Sequence, residues 1–223
     1  MVSSSGVFTL VGVRVSSPEL VLGLPVVLDH HLTQTPCARR RPAGAGQQLM
    51  AVSQVCPGLF LSGLDPALNP GVLSSRNITL IVNASGLEGV SYPPMDNLRV
   101  LHVPVQDQPH APLSLYFHSV AEEIHQNRPG ATLVHCASGR SRSPALVMAY
   151  LMRCEGLSLR QAHQLVLERR PFIRPNAGFW RQLIGYENAL FSRTSIRMVA
   201  TSAGVLPEAV DTLHDAPAYC INV

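Results

Sequence analysis

Ala131-Thr132-Leu133-Val134 runs into His135-Cys136-Ala137-Ser138-Gly139-Arg140-Ser141-Arg142-Ser143, which Pro144-Ala145-Leu146-Val147-Met148-Ala149-Tyr150-Leu151-Met152 follows. The first run is short and apolar and comes after Pro129-Gly130, which predicts a buried strand. The last is apolar on every side with a proline at its start, which predicts a buried helix over Pro144–Cys154. Between them lie a cysteine, five residues and an arginine. Backbone N–H groups after Cys136 can curl around one anion where the segment turns into the helix N-terminus, and the helix dipole adds to that field. Arg142 can grip two oxygens of a phosphate with its planar fork. The same field lowers a thiol pKa from about 8.5 to between about 3.5 and 7.5, which makes Cys136 a candidate nucleophile.

The rest of the chain alternates in a way that fits this unit. Leu59–Ser62 and Ile78–Asn83 read as strands, as does the segment around Val100, and Pro66–Ser75 reads as a short helix. A helix over Leu113–His125, then helices over Ser158–Arg169 and Ala177–Phe191, complete the pattern, with Ser158 as an N-cap. Strands interleaved with helices predict an α/β fold, with a central mostly parallel sheet and helices on both faces. The Cys136 loop then falls at the C-terminal end of a strand, where such sheets bind ligands.

A leaving oxygen needs a proton from a group within hydrogen-bond reach. Asp107, 29 residues before Cys136 in the loop Val105–Pro112, is the candidate. Asp96, Glu122 and Glu123 are weaker rivals, and the two glutamates read as a solvated helix face.

From about Gln54 to about Ile196 the chain resembles a cysteine-dependent phosphatase of the dual-specificity type. Within the protein tyrosine phosphatase superfamily it is similar to the small atypical members that lack a kinase-docking domain. The resemblance rests on His135-Cys136 through Arg142-Ser143, on Asp107 ten residues before the aromatic Phe117, and on Arg174-Pro175-Asn176-Ala177-Gly178-Phe179-Trp180. It implies a two-step reaction through a cysteinyl-phosphate, without metal or cofactor. In that reaction Cys136 is the nucleophile, Arg142 the phosphate clamp and Asp107 the general acid, then base. Ser143 would donate to the departing thiolate. His135 would orient the loop and help depress the thiol pKa. Ala137, Ser138, Gly139, Arg140 and Ser141 would line the phosphate site, and Asn176 would tie the loop in place, a role compatible with capping the helix from Ala177. A domain of about 140 residues, shorter than the tyrosine-only relatives, implies a pocket shallow enough for phosphoserine and phosphothreonine as well as phosphotyrosine. The expected partners are phosphorylated proteins, with kinases as candidates. Arg140 stands where many relatives have a small apolar residue. It reads as a solvent-facing loop cation or as a mark of a more anionic substrate, such as a doubly phosphorylated peptide or a phospholipid head group. Two alternatives therefore stay open: a phosphatase for lipid or other non-protein phosphoesters, and a phosphate-binding module without turnover.

Composition bounds the rest. The 223 residues fit one domain with tails: an extension over residues 1–50, a catalytic domain over 51–197 and a tail over 198–223. A net charge of +3, with no basic-aromatic repeat, argues against nucleic-acid binding. Five irregularly spaced cysteines suggest neither a disulfide scaffold nor a zinc site, and a working thiolate favours a reducing compartment. Cys154 is a candidate partner for an oxidised Cys136. Leu20–Leu28 is apolar but too short to span a membrane, and no basic segment marks a secretory signal. The expected location is cytoplasmic, with nuclear residence compatible and organelle association left open by the arginines near residue 40. Oligomeric state is not legible.

Overall fold

A computed structural model describes residues 51–202 and 204–210 of the chain. The expectations for residues 1–50, Leu20–Leu28 among them, and for the end of the tail lie outside the described residues. Strand β1 (Ser53–Cys56) pairs antiparallel with β2 (Leu59–Ser62). Two short helices follow, α1 (Leu64–Ala67) and α2 (Pro70–Ser74), where the sequence predicts one. The break falls at Asn69-Pro70. A residue before proline avoids the helical region, and Asn69 is extended, its side chain accepting a hydrogen bond from the Val72 N–H at 3.1 Å.

Strands β3 (Ile78–Asn83) and β4 (Arg99–His102) come next. A 3₁₀ turn (Leu113–Tyr116) opens α3 (Phe117–Gln126), so the predicted helix from Leu113 becomes α-helical only at Phe117. Then come β5 (Ala131–His135), α4 (Arg142–Glu155), α5 (Leu159–Arg169) and α6 (Ala177–Phe191). Ser158 caps α5 in a reciprocal box with Gln161.

The sheet order is β1-β2-β5-β3-β4, parallel except for β1. The predicted mostly parallel sheet, covered on both faces, is what forms. β5 lies at its centre with every residue buried. Side chains alternate across a strand. Leu133 and Ala131 therefore join Ala67, Leu73 and Ile81 in the core under α1 and α2, while Val134 joins the larger core under α3, α4, α5 and α6. Among the described residues no helix is long and apolar enough to cross a membrane.

Beyond α6 the chain forms a hairpin, β6 (Ile196–Thr201) with β7 (Gly204–Ala209), across the boundary where the sequence predicts a tail. Ile196 is buried, and the buried Glu187 carboxylate of α6 accepts from the N–H groups of Leu159 and Ser195 at 2.7 and 2.8 Å. Glu187 thereby joins the start of α5, α6 and the approach to β6.

One close approach places the Asp107 loop. A Cβ added at Gly178, in the first turn of α6, would lie 1.8 Å from the Pro109 carbonyl oxygen. Only glycine lets the two backbones touch. Replacing a helical glycine by alanine ordinarily stabilises a protein by roughly 1 kcal/mol. Here the clash reverses the sign: G178A should lower the melting temperature, whereas an unchanged or higher melting temperature would show that the loop is not held there.

Candidate active site

The loop from Cys136 to Arg142 has its peptide groups turned one way. The Ala137 carbonyl accepts from the Leu64 N–H at 3.0 Å, the Arg140 carbonyl from the Arg174 N–H at 2.6 Å and the Ser141 carbonyl from the Ala145 N–H at 3.2 Å. The Ser138 and Gly139 carbonyls accept from Arg170, at 3.2 Å from Nη2 and 2.7 Å from Nε. All these donors lie outside the loop. In a trans peptide the carbonyl and the following N–H point opposite ways. Carbonyls held outward from Ala137 to Ser141 thus turn the N–H groups of residues 138 to 142 inward, around a common centre. Gly139, at φ +67°, is required: a Cβ there would meet the Ser62 carbonyl oxygen at 2.5 Å and Arg170 Nη2 at 2.6 Å.

Cys136 sits at the base of this ring and is buried. Burial is the largest influence on its thiol and raises the pKa. The Ser143 hydroxyl, 3.2 Å from Sγ, opposes it together with the Ser143 and Ser141 N–H groups and the Arg142 charge. Together these outweigh burial, and the thiol falls below its ordinary value.

Arg142, at the first turn of α4, is buried, and its Nη1 donates to the carbonyls of Ser85 and Val105. Its Nε is buried without a hydrogen-bond partner. The nearest anion is Asp107 Oδ2 at 3.8 Å, within ion-pair range but too far for a hydrogen bond. A buried donor left unmatched at the rim of a ring of N–H groups suits an incoming tetrahedral oxyanion.

Asp107 lies at the mouth, its side chain about a third exposed at 37%. Its Oδ1 accepts from Ser141 Oγ at 2.7 Å and from Asn176 Nδ2 at 2.9 Å. Asn176 does two things at once: Oδ1 accepts from the Phe179 N–H at 3.0 Å and caps α6, while Nδ2 holds Asp107. Its backbone N–H also donates to Ser141 Oγ at 3.3 Å.

His135 is fully buried, with its pKa pushed down to about 4, chiefly by burial and further by the Arg142 and His102 charges, against its bond to the Cys136 carbonyl. The neutral ring has an assignable tautomer. Nδ1–H donates to the Cys136 carbonyl at 3.3 Å, and bare Nε2 accepts from the Tyr92 hydroxyl at 2.6 Å. His135 therefore brings no positive charge to the thiol, and its influence passes through the peptide it holds.

The structure brings Cys136, Arg142, Ser143, Ser141, Asp107 and Asn176 together. Ala137 and Arg140 are exposed, and Arg140 Nε donates to the Phe172 carbonyl at 3.3 Å. Glu122 and Glu123 lie away from the site, paired with Arg153 and Arg99. Cys154 is corrected as a partner for Cys136. It stands three turns beyond Ser143 on α4, about 16 Å at 1.5 Å per residue, and its thiol faces the Ala121 carbonyl. A disulfide needs Cα atoms within about 7 Å.

Two residues of the site escaped the sequence. Tyr92 lies in the loop Ser91-Tyr92-Pro93-Pro94, whose one signal is an aromatic amid turn formers. Arg170 follows Arg169 at a helix end, where charge ordinarily marks solvent.

Residues 59–189 match the family described as dual specificity phosphatase, catalytic domain. The chain belongs to the dual-specificity phosphatase family. Dual specificity protein phosphatase 14 of Mus musculus is 45% identical over 160 residues, covering 70% of this chain and 79% of that one. The crystal structure of human DUSP28 is 39% identical with a TM-score of 0.59, covering 62% of this chain and 94% of that one. A mouse putative dual specificity phosphatase complexed with zinc tungstate is 37% identical with a TM-score of 0.60, covering 63% and 89%. As a dual-specificity phosphatase the chain is an enzyme of the small atypical type.

The thiolate is the reactive form of a cysteine, so alkylation of Cys136 should accelerate with pH through the thiol pKa. Its midpoint should lie below the ordinary thiol range, and S143A should move it upward. Neutral His135, titrating near pH 4, should add no limb between pH 5 and 8. An unmoved midpoint in S143A would remove the hydroxyl from thiolate stabilisation.

Proposed function

We propose that this enzyme removes phosphate from phosphotyrosine and from phosphoserine and phosphothreonine in proteins through a cysteinyl-phosphate intermediate. The observation that carries the reading is a depressed thiol at the base of a ring of inward N–H groups, with a carboxyl at its mouth. In the first step the Cys136 thiolate forms a bond to phosphorus. The bond from phosphorus to the leaving oxygen breaks, and that oxygen takes the proton of the Asp107 carboxyl. In the second step Asp107, now a carboxylate, takes a proton from water as its oxygen attacks phosphorus. The phosphorus–sulfur bond breaks, and the Ser143 hydroxyl, already on Sγ, donates to the returning thiolate. Arg142 and the N–H groups of Ser138 to Arg142 hold the remaining oxygens throughout. The relative that binds tungstate, itself an oxyanion, supports a site built for phosphate geometry. Phosphorylated proteins are the proposed substrates, with kinases as candidates.

Arg140 and Arg174 favour a second reading. Both are exposed, their backbones are joined by the 2.6 Å bond, and neither has a carboxylate partner among the described residues. Two like charges beside the loop suit a substrate with more negative charge, such as a phospholipid head group. A binding module without turnover is the third reading, and the full set of Cys136, Arg142 and Asp107 speaks against it.

Phosphate release should be measured on matched phosphotyrosine, phosphothreonine and phosphoinositide substrates. Peptides should turn over faster than lipid. C136S should abolish release, and D107N should lower kcat by about 10²–10⁴. Faster lipid turnover would favour the second reading, and no turnover by folded protein the third. Parent-like turnover of a demanding phosphopeptide by D107N would remove Asp107 as the acid.

A further inference from the structure

Of the five loop carbonyls held outward, two are held by one side chain. Arg170, at the end of α5, is fully buried. Besides the bonds to Gly139 and Ser138, its Nη1 donates to the Ala51 carbonyl at 2.9 Å and to Ser53 Oγ at 3.3 Å. The Phe172 ring packs on the guanidinium, with its centroid 4.4 Å from the central carbon. A buried cation is costly unless an anion or several acceptors compensate it. No carboxylate among the described residues pairs with Arg170. Its compensation is four oxygen acceptors and the charge that the site itself generates, since Cys136 is the group whose charge favours its protonated form. Burial lowers its pKa to about 10, so it stays charged at neutral pH.

The acceptors lie in two places, the phosphate loop and the first strand, and a guanidinium fork reaches both. A lysine has one nitrogen and cannot span them. The peptide planes of Ser138 and Gly139 carry the N–H groups of Gly139 and Arg140. Whatever fixes those carbonyls outward also aims those two N–H groups at the anion.

We propose that Arg170 is a positioning residue for the phosphate site: it holds the Ser138–Gly139 and Gly139–Arg140 peptides with their N–H groups facing the oxyanion, and it anchors the loop to the backbone at Ala51 and Ser53. Arg170 is therefore distinct from Arg142. Arg142 presents an unmatched Nε to the site, whereas Arg170 works from behind the loop and never touches the substrate. Charge alone would not suffice for this role, and geometry is the part that lysine lacks.

The inference builds on the proposed reaction only in its kinetic readout, and two other readouts need no turnover. R170K and R170Q are made in the full chain, with thermal unfolding to establish that each folds. Inorganic tungstate affinity and the pH midpoint of Cys136 alkylation are then measured, with kcat on a phosphopeptide. Both variants should bind tungstate more weakly and titrate the thiol at higher pH, and kcat should fall by about 10²-fold, as for loss of an aligned oxyanion donor. Parent-like tungstate affinity and midpoint in R170K would overturn the proposal, because charge would then suffice. Should neither variant fold, F172L carries the test: it removes the ring that steadies the fork, and it should move both readouts the same way by a smaller factor. Unchanged readouts in F172L would then overturn the proposal. Shifted readouts in a protein that hydrolyses no phosphoester would leave Arg170 in place and remove the reaction instead.

Discussion

The site depends on five peptide groups being turned with their oxygens outward. Left alone, a loop after a parallel strand has no reason to expose all its N–H groups to one point, because adjacent amide dipoles aimed together repel. The cost is met by outward partners for all five carbonyls: Leu64 at the start of α1, Ala145 in α4, Arg174 in the α5–α6 connection, and Arg170 for two of them. The inward field that results is a property of the surroundings as much as of the loop. The thiol at its base ends below its ordinary pKa although burial alone would raise it: the Ser143 hydroxyl and N–H act first, then the Arg142 charge and the Ser141 N–H of the ring.

The fold brings those partners to one end of the sheet. β5 delivers Cys136 just past its C-terminal end, and α4 begins six residues later at Arg142, so the helix N-terminus faces the ring of inward N–H groups. The Asp107 loop rests on α6 through Gly178, and Asn176 couples the cap of α6 to the carboxylate. Ser141 bridges the loop and the Asp107 carboxylate, donating to Asp107 while accepting from the Asn176 N–H. Removing one member therefore disturbs several, and at 2.7 Å the hydroxyl of Ser141 lies closer to Asp107 than the Asn176 amide does at 2.9 Å.

What the sequence made legible follows from local rules. The strand over Ala131–His135 and the helix behind it stand out because both are almost wholly apolar. The caps of α5 and α6 stand out because Ser158 and Asn176 are good N-cap residues. The cysteine-to-arginine spacing is legible because the whole motif is contiguous in the chain, and the parallel sheet because strands alternate with helices. β1 was not, since only Val55 of its four residues is buried and the strand gains order from pairing with β2. The β6–β7 hairpin was hidden by Gly204 and Pro207, which read as tail, although proline is tolerated where a two-stranded sheet leaves its N–H side open. Arg170 was hidden most completely: its partners are carbonyls 31 and 32 residues away in the loop and 119 away at Ala51, and carbonyls have no sequence signature.

The central claim is that the inward field makes Cys136 a nucleophile toward phosphorus. The most direct measurement is an acid quench of the enzyme during turnover of a radiolabelled phosphopeptide, followed by mapping of the label. The account predicts a phosphoryl group on the peptide that contains Cys136, formed and lost at rates compatible with turnover. Release of labelled phosphate at full rate with no label on Cys136 at any time would contradict it.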